Sequence, residues 1–122
     1  MDRKTILVVD DDQDVRTLLL NLLSAMGIDV TIAQTADEAI AACHKKKFDL
    51  ILMDWRMPGG DGFEASTKIW RDSQRNAETK IIICTASDTP SEVEACKMHG
   101  FADVFNKSFD RDSLSRLLSR HL

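Results

Sequence analysis

The sequence predicts a three-layer α/β domain, in which a parallel sheet carries helices on both faces. Short apolar runs alternate with segments of helical periodicity along the 122 residues, as they do in successive βαβ units with right-handed crossovers. Several of the apolar runs are almost continuously hydrophobic, which is typical of parallel strands covered on both faces. In such sheets ligands bind beyond the carboxyl ends of the strands, so the chemistry is expected there.

The predicted strands are short apolar runs bounded by polar residues or glycine. The first, third and fourth runs are the almost continuous ones. The five strands are residues 6–9, 28–33, 50–53, 81–84 and 104–105.

The first three predicted helices differ in the strength of their signals. The clearest spans residues 13–26, where apolar side chains recur at helical spacing and Gly27 provides the stop. Thr35 followed by Glu38 is a capping-box pattern that opens a second helix. A third helix over residues 63–71 has weaker signals.

The last two helices are predicted mainly from their caps. Thr89 and Glu92 repeat the capping pattern, with Pro90 at the first helical position and Gly100 closing the last turn. Asp110 is the predicted cap of a final helix that carries a leucine stripe.

Composition narrows the class of protein. Hydrophobic residues make up 43% of the chain and charged residues 30%, as in an ordinary globular domain. The net charge is −4 and the positive charges are scattered, which disfavours direct nucleic-acid binding. The longest basic run, residues 45–47, falls where the second helix should end, and cations there suit the helix dipole.

Targeting and cysteine signals predict a cytoplasmic location. No apolar run is long enough for membrane insertion, and the first residues do not have the pattern of a signal peptide. Cys43, Cys84 and Cys96 are odd in number and lack metal-ligand spacing. We therefore expect three small, buried, reduced side chains.

Polar residues follow four of the predicted strands. Asp10 and Asp11 follow the first, Asp54 the third, Thr85 the fourth and Lys107 the fifth. Adjacent strands lie about 4.8 Å apart, so these residues can share one pocket, and a lysine can reach across from the next strand but one.

Three carboxylates in one pocket require a compensating charge. Two unit charges 4 Å apart repel by about 1 kcal/mol in water and about 4 kcal/mol at an effective dielectric of 20. Oxygen ligands without His or Cys favour a hard cation, and Mg²⁺ tolerates a few carboxylates, bound waters and a substrate phosphate. Lysine and threonine would then supply donors for an oxyanion.

Four segments together resemble one protein family. VVDDD (8–12), LILMDWRMPGGDGF (50–63), IIICTAS (81–87) and NKSF (106–109) are similar, in order and spacing, to the response-regulator receiver domain. The resemblance covers essentially the whole chain and implies one receiver domain over residues 1–122. It also implies a flavodoxin-like fold with strand order 2-1-3-4-5.

The resemblance further implies a Mg²⁺-dependent phosphoacceptor that promotes its own phosphorylation and dephosphorylation. Because each molecule accepts one phosphoryl group itself, such a domain is a stoichiometric phosphoacceptor and not an enzyme. The donor would be a sensor histidine kinase or a histidine phosphotransfer protein, and the recipient a downstream target protein or output domain. The implied roles are phosphoacceptor for Asp54, metal binding for Asp10, Asp11, Asp54 and the Arg56 backbone carbonyl, and phosphoryl contacts for Thr85, the Ala86 amide and Lys107.

Other readings remain open at this point. Asp10 or Asp11 alone could cap a helix, although Asp12 is better placed to do so. A receiver-like interaction module that works without phosphorylation is the main alternative. A phosphohydrolase is a weaker one, because Arg56 stands where such an enzyme has a second acid two residues beyond its nucleophile.

The chain departs from the family pattern at three places. Ser108 replaces the usual proline after the lysine, so we predict a trans Lys107–Ser108 peptide. Val104 replaces an aromatic residue and has no ring to turn inward. The threonine–aromatic coupling is therefore expected to be muted or to be carried by another residue, with Phe101 and Phe105 as candidates unless they are simply core residues. Gly59 and Gly60 predict a mobile loop after Asp54 before metal binds.

Overall fold

The computed structural model describes residues 3–57 and 60–122. The five strands of the main sheet alternate with helices along the chain, as predicted. The elements are β1 (Thr5–Val9), α1 (Gln13–Ala25), β2 (Asp29–Ala33), α2 (Ala36–Lys45), β3 (Leu50–Asp54), β4 (Arg56–Met57), β5 (Gly60–Asp61), α3 (Gly62–Asp72), β6 (Lys80–Thr85), α4 (Pro90–Met98), β7 (Asp103–Asn106) and α5 (Arg111–His121).

Five strands form one parallel sheet in the order β2-β1-β3-β6-β7. Counted along these five strands, this is the predicted order 2-1-3-4-5, so the predicted fold is confirmed. Strand β3 lies between β1 and β6, and β7 lies at the edge beyond β6. The first and third strands therefore end side by side, with the fourth and fifth following across the same edge.

A small hairpin after β3 was not predicted. Strands β4 and β5 pair antiparallel, with Arg56 opposite Asp61 and Met57 opposite Gly60. Two-residue strands leave no periodicity to read, which is why the sequence pattern missed them. The expectation of loop mobility involves Gly59, which lies outside the described residues, and it stays a prediction.

The sheet separates two apolar clusters. One packs side chains of β1, β3 and β6 against α2, α3 and α4, and includes Phe48, Ile69 and Phe101. The other packs the alternate side chains of the same strands against α1 and α5, and includes Leu23 and Leu117. Both faces of the central strands are therefore covered, and β3 is buried at every position.

The helix ends follow the predicted local chemistry. Gly27 and Gly100, after α1 and α4, have φ angles of 81° and 101°, which only glycine adopts freely. Helices α1 to α5 have side-chain N-caps at Asp12, Thr35, Asp61, Thr89 and Asp110.

A buried side-chain amide links two loops at the amino ends of the strands, on the opposite edge of the sheet from the carboxyl ends. The Asn76 side chain donates to the carbonyls of Cys43 and Lys46, at 2.8 Å each. It accepts from the Phe48 amide and the Thr79 hydroxyl, at 2.9 Å each. This fully buried side chain thereby ties the loop before β3 to the loop before β6.

The three cysteines are free and buried, as predicted. Burial raises the pKa of the Cys43 thiol to about 12, so the thiolate that reacts with oxidants is scarce there. Within the part of the chain that the structure describes, no helix combines the length and apolar character needed to cross a membrane.

Candidate functional site

Three carboxylates meet at the carboxyl edge of the sheet. Asp10 follows β1 and Asp54 ends β3, and both are almost fully buried, whereas Asp11 is exposed. One oxygen from each of Asp10, Asp11 and Asp54 lies within 4.8 Å of the others. The structure therefore brings together the acidic residues that the sequence analysis singled out.

Lys107 completes the cluster. Its Nζ lies 2.9 Å from Asp54 Oδ1 and 3.1 Å from Asp10 Oδ2. The residue directly follows β7, which is separated from β3 by β6. The predicted reach from the next strand but one is confirmed.

Electrostatics at the cluster are set by burial and by the pairing with lysine. Burial raises the pKa of Asp54 to about 6; the Lys107 hydrogen bond opposes this, and the Asp10 charge reinforces it. Burial lowers the pKa of Lys107, but the hydrogen bonds that it donates to Asp54 and Asp10 outweigh this effect, so the net shift is upward. The lysine stays charged, while the negative charge around Asp54 is incompletely compensated.

The cluster has the chemistry of a hard-cation site. Among the described residues, Asp54 Oδ2 is buried and has no hydrogen-bond partner. An unpaired buried carboxylate oxygen is costly unless a cation or donor satisfies it. All candidate side-chain donors are carboxylate oxygens, which suit Mg²⁺. The residues present therefore fit this ion.

Thr85 and Ala86 lie at the end of the neighbouring strand, β6. The Thr85 hydroxyl accepts from the Ser87 amide at 3.1 Å and donates to the Ser87 carbonyl at 3.0 Å. In this structure the hydroxyl is thus engaged within its own loop and not with Asp54. Arg56 stands two residues after Asp54, and its exposed guanidinium lies over the Trp55 ring.

Sequence reasoning missed Arg16. Its side chain is only 8% exposed, and its Nη1 donates to the Asp10 backbone carbonyl at 2.8 Å. The buried Arg16 guanidinium therefore fixes the backbone at Asp10, between β1 and α1, by this hydrogen bond. The available signal was its position: Arg16 shares a helix face with the buried Leu19 and Leu23, three and seven residues further on.

Gly62 was also missed. A Cβ built on Gly62 would lie 2.2 Å from the Asp54 carbonyl oxygen, and the Gly62 amide donates to the Trp55 carbonyl. The start of α3 thus presses against the backbone of Asp54. The Asp-Gly pair before a helix was the signal, since glycine permits close approach of two backbones.

The departures from the family pattern leave the cluster intact. No cis peptide occurs within residues 3–57 and 60–122, so the predicted trans Lys107–Ser108 bond is confirmed. Val104 is partly buried and packs against the cluster of α2, α3 and α4. The serine therefore does not prevent the lysine from reaching both carboxylates.

Comparison with known proteins identifies the class to which this fold and site belong. The family model of the response regulator receiver domain matches residues 6–119, and the chain belongs to this family. It is therefore a receiver of two-component signalling, a family of phosphoacceptor domains.

Individual relatives agree. The chain is 36% identical over 121 residues to the DNA-binding transcriptional regulator NtrC of Salmonella typhimurium, covering 98% of this chain and 25% of NtrC. The chemotaxis protein CheY4 of Vibrio cholerae has a TM-score of 0.91 at 30% identity, covering 99% of this chain and all of CheY4.

A third relative is a receiver whose structure was solved with a metal. The receiver domain of the sensor histidine kinase PA1611 from Pseudomonas aeruginosa has a TM-score of 0.85 at 31% identity and 98% coverage of both chains. That protein has a magnesium ion in its active-site cleft. The present chain spans only a quarter of the length of NtrC, so the activity of that whole protein does not carry over.

Proposed function

We propose that Asp54 accepts a phosphoryl group from a phosphohistidine on a sensor histidine kinase or histidine phosphotransfer protein. The observation that carries the proposal is the pairing of a buried Asp54 with Lys107 in the midst of two further carboxylates. A carboxylate used only for stability would be satisfied on both oxygens, whereas Asp54 keeps Oδ2 unpaired among the described residues.

The reaction uses Asp54 as a nucleophile. A carboxylate oxygen forms a bond to phosphorus as the phosphorus–nitrogen bond of the phosphohistidine breaks, and the bonding pair returns to the imidazole. The product is an acyl phosphate on Asp54. Attack of water on phosphorus regenerates the carboxylate and releases inorganic phosphate, so the domain also catalyses its own dephosphorylation.

Charge neutralisation is the main catalytic contribution of such a site. Asp10, Asp11, Asp54 and the Arg56 backbone carbonyl would hold Mg²⁺. The ion supplies positive charge that keeps the carboxylates ionised and offsets charge on the phosphoryl oxygens. Lys107 contributes an ammonium that is already within 3.1 Å of two of the carboxylates.

Thr85 and the Ala86 amide complete the phosphoryl contacts. For this the Thr85 hydroxyl must exchange its two bonds with Ser87 for a phosphoryl oxygen. Because Ser87 belongs to the loop that leads into α4, the exchange alters that loop. This change gives a route from chemistry at Asp54 to a surface read by a downstream target protein or output domain.

We further propose that residues 1–122 form one receiver domain and that its reaction takes place in the cytoplasm. Three free buried cysteines are in keeping with a reducing compartment. Direct nucleic-acid contact is not part of the proposal, in view of the net charge of −4.

The test is intact-mass measurement after incubation with Mg²⁺ and a small acyl-phosphate donor. Wild type is expected to gain one phosphoryl adduct that depends on Mg²⁺, and Asp54→Asn is expected to gain none. Asp12→Asn is the matched control, because asparagine caps a helix about as well as aspartate. That variant should keep the adduct. Trp55 fluorescence reports metal binding next to Asp54.

Two outcomes would contradict the proposal. An adduct that persists in Asp54→Asn would place the acceptor elsewhere. Absence of an adduct in wild type, together with an unchanged Trp55 signal on adding Mg²⁺, would favour the interaction module that works without phosphorylation.

A further inference from the structure

Asn106 connects the two loops that carry the phosphoryl-contacting residues. It ends β7, and its Nδ2 donates to Asp88 Oδ1 at 2.9 Å. Its Oδ1 accepts from the Ser108 amide at 2.7 Å. One side chain thus hydrogen-bonds to the loop between β6 and α4 and to the loop between β7 and α5.

The two loops stand next to each other at the active edge of the sheet. Thr85 pairs with Asn106 in the β6–β7 register, and the Lys107 amide donates to the Thr85 carbonyl at 2.9 Å. Asp88 lies three residues beyond Thr85, in the loop that contains Ala86 and Ser87. Ser108 directly follows Lys107. The Asn106 amide therefore continues the pairing of β6 and β7 past their ends.

The connection depends on the residue types at positions 106 and 108. A proline at position 108 would have no N–H to donate. An amide at position 106 offers a donor and an acceptor at once, which a carboxylate or an aliphatic side chain cannot do. Asn106 and Ser108 hence form a matched pair, and Asp88 supplies the acceptor on the other loop.

We propose that Asn106 is a positioning residue that holds Lys107 and the Thr85–Ala86 loop in the arrangement that receives the phosphoryl oxygens. This inference rests on the proposed function and extends it. Among the described residues, the Asn106 side chain hydrogen-bonds to Asp88 and Ser108 and to none of the three carboxylates, so it acts through Lys107 and the loop after Thr85. Its loss should slow phosphoryl transfer while leaving metal binding at Asp10 and Asp11 unchanged.

An exchange of side chains tests the connection. Asn106→Asp places two carboxylates against each other at positions 106 and 88, while keeping an acceptor for the Ser108 amide. The double variant Asp88→Asn/Asn106→Asp restores a donor and an acceptor with the direction of the bond reversed. Asn106→Leu removes both bonds. Asn21→Leu makes the same change at an exposed position on α1 and is the control.

The readouts are the rate of adduct formation from the small acyl-phosphate donor, the Mg²⁺ dissociation constant from Trp55 fluorescence, and the melting temperature. Asn106→Asp and Asn106→Leu should react about tenfold more slowly, since small displacements of contacting groups have large effects on such reactions. Their Mg²⁺ affinity should stay within about twofold of wild type, and the double variant should recover most of the rate.

A rate equal to wild type in both single variants would overturn the inference, and so would a double variant no faster than Asn106→Asp. A fall in rate accompanied by an equal fall in Mg²⁺ affinity would reassign Asn106 to general stability and also overturn it. Wild type that forms no Asp54 adduct at all would instead overturn the proposed function, and this inference with it.

Discussion

Replacement of Gly62 by alanine should impair phosphorylation without unfolding the domain. The added Cβ would meet the Asp54 carbonyl oxygen at 2.2 Å and the Met53 side chain at 2.9 Å. The backbone atom cannot move aside as a flexible side chain would, because β3 is hydrogen-bonded on both edges. Either α3 or the end of β3 must therefore shift. Because Asp54 is the last residue of β3, a shift of that strand end displaces Asp54.

The size of the effect follows from the overlap. Relief requires a displacement of roughly 1 Å, and a displacement of that size at reacting groups costs about 100-fold in rate. Overpacking should also destabilise the fold by about 1–3 kcal/mol. The helical preference of alanine over glycine offsets about 0.5–1 kcal/mol of this, so the steric effect dominates.

The assay is the initial rate of adduct formation with the small acyl-phosphate donor, alongside urea denaturation. Gly60→Ala is the matched control: among residues 3–57 and 60–122, its added Cβ would meet Ala36 alone, at an ordinary 3.9 Å. We expect Gly62→Ala to be about 100-fold slower and Gly60→Ala to be near wild type. Equal rates in the two variants would refute the argument that Gly62 sets the position of Asp54.

Two further predictions concern stability. Asn76→Ala should lower the free energy of unfolding by about 3 kcal/mol, because it leaves the Phe48 amide and Lys46 carbonyl without their side-chain partner. Asp103 gives a pH-dependent effect. Burial raises the pKa of Asp103, but hydrogen bonds from His121 and the backbone outweigh it, so its folded pKa lies below the ordinary value. Its contribution is present above about pH 4 and is lost as the pH falls through the folded pKa. Asp103→Asn should therefore cost about 1–2 kcal/mol at pH 7 and less near pH 3.

Urea denaturation measures both effects. Asn21→Ala, at an exposed position, is the control for Asn76→Ala and should change stability by less than about 0.5 kcal/mol. A loss below about 1 kcal/mol in Asn76→Ala would contradict the assigned role of the buried amide. For Asp103→Asn, a difference from wild type that stays constant between pH 7 and pH 3 would exclude the charge as its source.

Local patterns predicted the elements well because they record burial and chain direction. Helix α1 followed from its apolar spacing, its cap at Asp12 and its stop at Gly27, all of which the structure confirms. The central strands followed from their continuous apolar character. The β4–β5 hairpin escaped because two-residue strands carry no pattern.

The candidate site was predicted as a set of residues, not as an arrangement. Asp10, Asp11, Asp54 and Lys107 were predicted because each follows a predicted strand. The α/β pattern placed these residues at one edge of the sheet. The hydrogen bond from the Thr85 hydroxyl to the Ser87 carbonyl could not be predicted, because a sequence does not specify which rotamer a side chain adopts. The same holds for the close contact of Gly62 with Asp54.

By itself, then, the sequence determined the class of fold, the order of its elements and the residue types gathered at the carboxyl edge. These depend on periodicity, caps and spacing, which are local properties. Only the tertiary structure decided that Lys107 contacts Oδ1 of Asp54 and that Oδ2 is left unpaired among the described residues. It also decided that Asn106 joins two loops. Those facts depend on the register and separation of strands that lie far apart in the chain, and local patterns do not record such distances.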